Sequence, residues 1–172
     1  RPTDLIDFYG VTVRACYRKS SLRRVSPRSL RVSPHHRAVW DLLPFAICPD
    51  SRETLISSCP VCGAALGWSR TVGIAACETC VDDDGDPTVD LRDHVGPVIP
   101  VADEEAFRLV TGLVHPDRDR RAAERRKVGA ALAGYDDGEL FEFTVAMAYA
   151  IATEGAGTPG TTRRLRLPAD FT

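Results

Sequence analysis

Long apolar runs are missing from this sequence. The longest, around residues 145–152, is far shorter than the roughly 20 residues that a membrane-spanning helix needs. An N-terminal export signal is not visible either, because Asp4, Asp7 and Arg14 interrupt the apolar stretch of residues 1–15. We therefore expect no association with a membrane and a cytoplasmic location.

The sequence also lacks the patterns that announce catalysis. It has no glycine-rich loop of the kind that cradles phosphates, and no spacing pairs a nucleophile with a histidine base. These absences argue against an enzyme. We expect no catalytic residues and no small-molecule substrate.

Charge is unevenly distributed along the 172 residues, although the net charge is only −2. The first 40 residues carry nine Lys or Arg against two acids, whereas residues 81–105 carry nine acids against one arginine. Residues 118–127 form a second basic run. Such segregation suits phosphate binding on one face, and equally suits solvated faces with no partner.

The six cysteines include two Cys-x2-Cys pairs. In Cys59-Pro60-Val61-Cys62-Gly63, two intervening residues let both sulfurs reach one tetrahedral ion, and the glycine accommodates the turn. Cys77 and Cys80 follow after 14 residues, a gap that fits a hairpin. The spacing predicts one structural zinc ion bound by all four cysteines, and four thiolates leave no open position for catalysis.

Two cysteines, Cys16 and Cys48, lie outside these pairs. Lone cysteines are more often small buried residues than metal ligands. A second metal held by Cys48 with His35 and His36 is the alternative that the sequence leaves open.

The order of patterns predicts an α+β fold, in which a small zinc-ribbon or zinc-finger module with short strands precedes a three-helix segment. We assign residues 1–80 to a basic loop plus the zinc module, 81–100 to an acidic linker, 101–154 to the helical segment and 155–172 to a flexible tail.

Helical periodicity begins after residue 100. Asp103 is the expected N-cap of a first helix that reaches about Val114, and a second helix is expected over residues 117–133. A third helix should start at Asp136 or Asp137 and end near Thr153. The residues that we expect it to bury are Leu140, Phe141, Thr144, Met147, Ala148 and Ile151.

Residues 26–80 resemble the zinc-finger region of the TniQ family, the transposition proteins related to TnsD. That family's pattern is Cys-Pro-x-Cys, a tryptophan, Cys-Pro-x-His, a short apolar stretch, and Cys-Pro-x-Cys-Gly followed by Cys-x-x-Cys. The matching residues here are Ser26-Pro27-Arg28-Ser29, Trp40, Cys48-Pro49-Asp50-Ser51, Leu55-Ile56, Cys59-Pro60-Val61-Cys62-Gly63, Cys77 and Cys80.

The resemblance has one informative departure. Three of the four positions that correspond to the family's first zinc site are serines, Ser26, Ser29 and Ser51, and only Cys48 remains. A neutral hydroxyl is a poor zinc ligand beside a thiolate or imidazole. We therefore expect this first site to hold no metal, and hydrogen bonds or packing to maintain its backbone.

The resemblance implies an adaptor that helps choose target sites in transposition. Its implied partners are DNA or a nucleoprotein complex, including a transposition ATPase or a CRISPR effector. The basic loop would be the place for phosphate contacts, and the candidates are Arg23, Arg24, Arg28 and Arg31.

Two other functions stay open at this stage. One is a zinc-ribbon transcriptional regulator that binds DNA directly, for instance through the last three helices. The other is a protein-interaction module in which zinc is only structural and the arginines are solvated.

Overall fold

The computed structural model describes residues 4–69 and 73–155, with side chains described as far as Ile151. The tail expected at 155–172 therefore lies, after Gly155, outside the described residues. The architecture is the α+β arrangement expected from the sequence: a two-stranded antiparallel sheet, a small module containing a cysteine cluster, and helices.

The chain begins with a β-hairpin of β1 (Leu5–Phe8) and β2 (Val11–Arg14). Its turn residues, Tyr9 and Gly10, both have positive φ, of 55° and 84°. Two-residue hairpin turns of this hand match the natural twist of the strands. Phe8, Val11 and Val13 are thereby placed on one buried face.

A short helix, α1 (Pro27–Val32), lies in the segment that the sequence assigned to a basic loop. Ser26 caps it, because the Ser26 hydroxyl accepts a hydrogen bond from the Ser29 N–H at 3.1 Å, and Pro27 is favourable in the first turn. The loop expectation is therefore corrected over these residues: Ser26-Pro27 starts a helix here instead of breaking one.

Three further helices follow, α2 (Glu104–Leu113), α3 (Arg118–Arg125) and α4 (Asp137–Gly155). Asp103 caps α2 as expected, whereas α3 ends eight residues before the expected position 133. Arg126 is the C-cap of α3, and a 3₁₀ turn at Ala130–Leu132 follows. The Arg125 guanidinium holds this turn by donating to the carbonyl of Ala133 at 2.9 Å.

Helix α4 starts directly against the hairpin. A Cβ at Gly138 would lie 1.8 Å from the carbonyl oxygen of Thr12, so only glycine permits this approach.

Burial along α4 decreases towards its C-terminal end. Leu140 and Phe141 are buried, but Met147 and Ile151 are 47% and 66% exposed. The expectation that α4 buries its apolar residues to the end is thus wrong beyond its first turns.

Two apolar cores sit side by side. The first surrounds the cysteine cluster and contains Val25, Leu30, Trp40, Cys48, Leu55, Cys59, Leu66, Cys77 and Leu91. The second joins the hairpin to the helices and contains Phe8, Val11, Val13, Leu42, Phe45, Val114 and Phe141. A 3₁₀ turn at Ala38–Asp41 connects them, because Trp40 enters the first core and Leu42 the second.

The acidic segment at 81–100, expected to be a linker, packs along the cysteine-containing half. Leu91 is fully buried in the first core, and its N–H donates to the carbonyl of Ala75 at 2.6 Å. Further along, the Ile99 N–H donates to the carbonyl of Arg52 at 2.8 Å. Among the described residues, none of the helices combines the length and the apolar composition that a membrane-spanning segment requires.

Candidate metal centre

The first half of the cluster is the turn from Cys59 to Gly63. The Gly63 N–H donates to the Cys59 carbonyl at 2.9 Å, and Gly63 has a φ of 74°, a conformation that glycine adopts without strain. The Cys59 N–H donates to the carbonyl of Ala64, and the Val61 N–H points to the Cys59 sulfur at 3.4 Å. Backbone hydrogen bonds therefore hold this sulfur inward.

The second half is the turn from Cys77 to Cys80, held by a hairpin with residues 87–90. The Cys77 N–H donates to the carbonyl of Val89, and the Thr88 N–H donates to the carbonyl of Cys80. The Thr79 N–H approaches the Cys77 sulfur at 3.4 Å, as the Val61 N–H does in the first turn. The residues that pair with this turn thus come from the acidic segment.

Together the two turns bring four sulfurs within 4.8 Å of one another. Cys59 Sγ and Cys80 Sγ are 3.9 Å apart, and Cys62 Sγ and Cys77 Sγ are 3.8 Å apart. A tetrahedron of sulfurs each 2.3 Å from a central ion has edges of about 3.8 Å. The four cysteines predicted from the sequence therefore fit one tetrahedral metal ion, and no disulfide links them.

The protonation of the four thiols is uneven. Burial raises the pKa of Cys77, but the N–H groups of Thr79 and Cys80 and the neighbouring thiols outweigh it and lower that pKa to about 7. A hydrogen bond with Cys62, followed by burial, raises the pKa of Cys80. A cation at the centre would favour the thiolate form of every sulfur and displace the remaining protons.

A second turn, from Cys48 to Arg52, repeats the geometry of the first. The Arg52 N–H donates to the Cys48 carbonyl at 2.9 Å, and Arg52 has a positive φ of 58°, as Gly63 has. The Cys48 N–H donates to the carbonyl of Glu53, and Ile47 pairs with Thr54 in the register in which Ser58 pairs with Ala65. The two turns have the same backbone construction.

The four positions that correspond to a first zinc site come together at this turn. Ser26 Oγ and Ser51 Oγ are 2.8 Å apart, and Ser29 Oγ lies 3.2 Å from Cys48 Sγ. Trp40 completes the group, since its indole N–H donates to the Cys48 sulfur at 3.3 Å. Hydrogen bonds thus connect side chains that are up to 25 residues apart in sequence.

Sequence reasoning missed Glu53, which anchors this group. Its carboxylate is fully buried and accepts hydrogen bonds from the Ser26 hydroxyl at 2.5 Å, from the Arg28 N–H at 2.8 Å and from the Gly96 N–H. A glutamate between Arg52 and Thr54 carries no local signal for burial, because its partners come from α1 and from the acidic segment.

Cys48 itself is a buried thiol surrounded by donors. Burial raises its pKa, but hydrogen bonds from Ser29, Ser51 and Trp40 outweigh this and lower it.

Within residues 4–69 and 73–155, only the cluster of Cys59, Cys62, Cys77 and Cys80 brings three or more Cys, His, Asp or Glu side chains close enough to hold an ion.

The remaining predicted site residues divide into two pairs. Arg23 is 1% exposed and donates to the carbonyls of Gly73 and Ala76, while Arg24 is 8% exposed and donates to the carbonyls of Trp40, Leu42 and Phe45. These guanidiniums bind backbone, so the prediction that they contact phosphates is corrected. The side chains of Arg28 and Arg31 are exposed on α1.

The side chain of His36 packs against tryptophans and belongs to no cluster of metal-ligand side chains. Its ring packs edge-on against Trp40 and Trp68, with centroid distances of 5.4 and 5.1 Å, and Nε2 lies 3.6 Å from the carboxylate of Asp41. Burial lowers the pKa of His36, although the charge of Asp41 opposes this. The ring acts as a packing element between the two tryptophans.

Comparisons of the chain with protein-family models, with curated proteins and with solved structures return no match. Function is therefore inferred from the residues of the site.

Proposed function

We propose that this chain is a zinc-stapled, non-enzymatic adaptor of the TniQ type, which binds nucleic acid or a nucleoprotein partner during the choice of transposition target sites. Four thiolates in a tetrahedral arrangement suit zinc better than the divalent ions that prefer oxygen. Such an ion has no open coordination position, so its role is to hold the two turns together.

The observation that carries this proposal is the cluster of Ser26, Ser29, Cys48 and Ser51. These are the four positions that the resemblance assigns to a first zinc site, and they meet in space beside a turn built like the Cys59–Gly63 turn. A chance resemblance would have no reason to select four residues that converge. The convergence therefore supports the resemblance to the TniQ family and, through it, the adaptor role.

Nucleic-acid contact is assigned to the exposed side of α1. Arg28 and Arg31 are three residues apart, so their side chains share one face of the helix. Two cations on one face can contact neighbouring phosphates, which gives affinity and salt dependence but little sequence preference. A protein that binds in this way depends on a partner for the choice of sequence, as an adaptor does.

The test is binding of duplex DNA measured over a range of salt concentrations. In the double variant R28A/R31A, the slope of log affinity against log salt concentration should fall by about two units, one for each phosphate contact. The matched control is R118A/R126A, which removes two exposed arginines of the second basic run. An unchanged slope in R28A/R31A would refute the α1 assignment. A loss confined to the control would instead favour a regulator that binds DNA through its helices.

A protein-interaction module is the second candidate, and the burial of Arg23 and Arg24 favours it, because it removes half of the predicted phosphate contacts. Val61, within the Cys59–Gly63 turn, and the nearby Trp68 are 58% and 49% exposed and could meet a protein partner. The absence of DNA binding at every salt concentration would select this candidate over the adaptor.

A further inference from the structure

A cleft of about 780 Å³ separates the cysteine-containing half from the helices. Its lining includes Arg37 and Arg52 from the cysteine-containing half, Arg108 and Arg120 from α2 and α3, and Tyr9 of the hairpin turn. The cleft does not include Arg28 or Arg31. Its volume lies within the range of sites that hold small organic ligands.

The acidic groups of the cleft already have cationic partners. Asp50 accepts from Arg37 at 2.8 Å, and Glu124 accepts from Lys127 at 2.6 Å. For the part of the chain that the structure covers, neither Arg108 nor Arg120 has a carboxylate within ion-pair distance. The cleft therefore has an excess of positive charge that internal pairing does not neutralise.

Two hydrogen-bond donors face each other in this cleft. His115 Nδ1 accepts the N–H of Asp117 at 3.0 Å, so a neutral His115 carries its proton on Nε2. That nitrogen lies 3.5 Å from Nη1 of Arg120, which is also a donor. Burial, followed by the charge of Arg120, lowers the pKa of His115 and keeps the ring neutral near pH 7. An acceptor oxygen would satisfy both donors.

Arg52 supplies a third donor. Its guanidinium stacks on Phe107 with a centroid distance of 4.3 Å, and its Nη2 binds Glu104 at 2.5 Å. Its Nη1 is buried, and none of the described residues accepts a hydrogen bond from it. A buried donor without an acceptor is unfavourable, and a small shift of the Arg52 side chain, which lines the cleft, would let a ligand oxygen remove this penalty.

We propose that this cleft binds the phosphate of a nucleotide, through Arg108, Arg120, His115 and Arg52. Phosphate offers several acceptor oxygens and a charge that matches the unpaired arginines. The cleft is larger than one phosphate requires, and the exposed ring of Tyr9 offers a flat surface on which a base can stack. The nucleotide is either free or part of a single strand, and the site does not rest on the α1 surface proposed above.

The experiment compares two probes on the metal-loaded full chain, ADP and a fluorescent oligothymidylate of eight nucleotides. In R108A/R120A, binding of whichever probe the wild type binds should weaken by at least about tenfold, because hydrogen bonds to charged groups are lost. R118A/R126A removes the same charge outside the cleft and should change binding less than about twofold. Metal content and the far-ultraviolet circular dichroism of each variant establish that it is folded. The single variant R120Q, at an exposed position, provides a second test of the predicted loss of probe binding.

If the wild type binds ADP and not the oligonucleotide, the ligand is a free nucleotide. If it binds the oligonucleotide and ADP competes only weakly, the ligand is a single strand. The proposal is overturned if the wild type binds neither probe, or if R108A/R120A and R118A/R126A weaken binding of the probe equally. R28A/R31A separates the two proposals. If this variant loses duplex binding but still binds the cleft probe, the two surfaces act independently. If it loses all binding while R108A/R120A loses none, the cleft proposal alone is overturned.

Discussion

At the scale of single residues, two consecutive arginines, Arg23 and Arg24, act as internal braces. Each guanidinium reaches backbone carbonyls far along the chain, so it satisfies acceptors that short loops cannot pair among themselves. Arg24 lies where the two cores meet, since its partners Trp40 and Leu42 belong to different cores. A cation in this position is retained because several aligned acceptors compensate its loss of solvation.

Replacing Arg24 with alanine should therefore destabilise the protein by about 3 kcal/mol or more, because the carbonyls of Trp40, Leu42 and Phe45 lose their donor. Replacing the exposed Arg28 with alanine should change stability by less than about 0.5 kcal/mol. Urea unfolding of the metal-loaded protein measures both values. Equal midpoints for the two variants would show that Arg24 is not a structural brace.

At the scale of elements, the Cys48–Arg52 and Cys59–Gly63 turns are built on the same backbone pattern, but different interactions hold them. The proposed zinc contributes on the order of 10 kcal/mol to its site. The hydrogen bonds among Ser26, Ser29, Ser51 and Cys48 contribute about 1 kcal/mol each. The Cys48–Arg52 turn must therefore depend as well on burial of its neighbours, among which Trp40 and Leu30 are fully buried.

If the serine cluster keeps the backbone of a metal site, thiols placed there should bind a second ion. The triple variant S26C/S29C/S51C, together with the native Cys48, supplies four sulfurs and should hold two zinc ions per chain where the wild type holds one. The control S20C/S21C/S33C adds three thiols outside the cluster. Cobalt absorption at the thiolate-to-metal charge-transfer band reports occupancy, and an unchanged stoichiometry in the cluster variant would refute the shared backbone design.

The extent to which the sequence predicts these elements follows from how local each signal is. The cluster of four cysteines and the Asp103 cap were predictable, because each Cys-x2-Cys pair and the cap are signals contained within a few residues. The helix after Ser26 was not expected, since this segment was assigned to a basic loop, although proline is favourable at a first-turn position such as that of Pro27. The burial of Arg24 and Glu53 was not predictable, because their partners are distant in sequence and appear only after folding.

At the scale of the whole molecule, the cysteine cluster and the helices depend on each other. The turn at Ala38–Asp41 enters both cores, and the hairpin that contains Cys80 continues into the acidic segment that covers Glu53. Loosening the two turns of the cysteine cluster would therefore disturb the segment that leads to α2. We expect one cooperative unit in which the bound ion contributes to the stability of the entire chain.

This coupling predicts a dependence on metal and on pH. Each ligand must be a thiolate, so binding of the ion releases protons and metal affinity falls as the pH falls. The stability contributed by the ion is then present at neutral pH and is lost on acidification. Metal release, followed with a zinc indicator, should coincide with loss of near-ultraviolet circular dichroism. A metal-free chain that unfolds at the same urea concentration as the metal-loaded chain would contradict the coupling.

The most direct test of the central claim is X-ray absorption at the zinc edge, combined with elemental analysis of the purified chain. We predict one zinc ion per chain, bound by four sulfurs at about 2.3 Å. A spectrum that requires nitrogen or oxygen ligands, or a stoichiometry other than one, would contradict the assignment of Cys59, Cys62, Cys77 and Cys80 as the complete ligand set of a single structural ion.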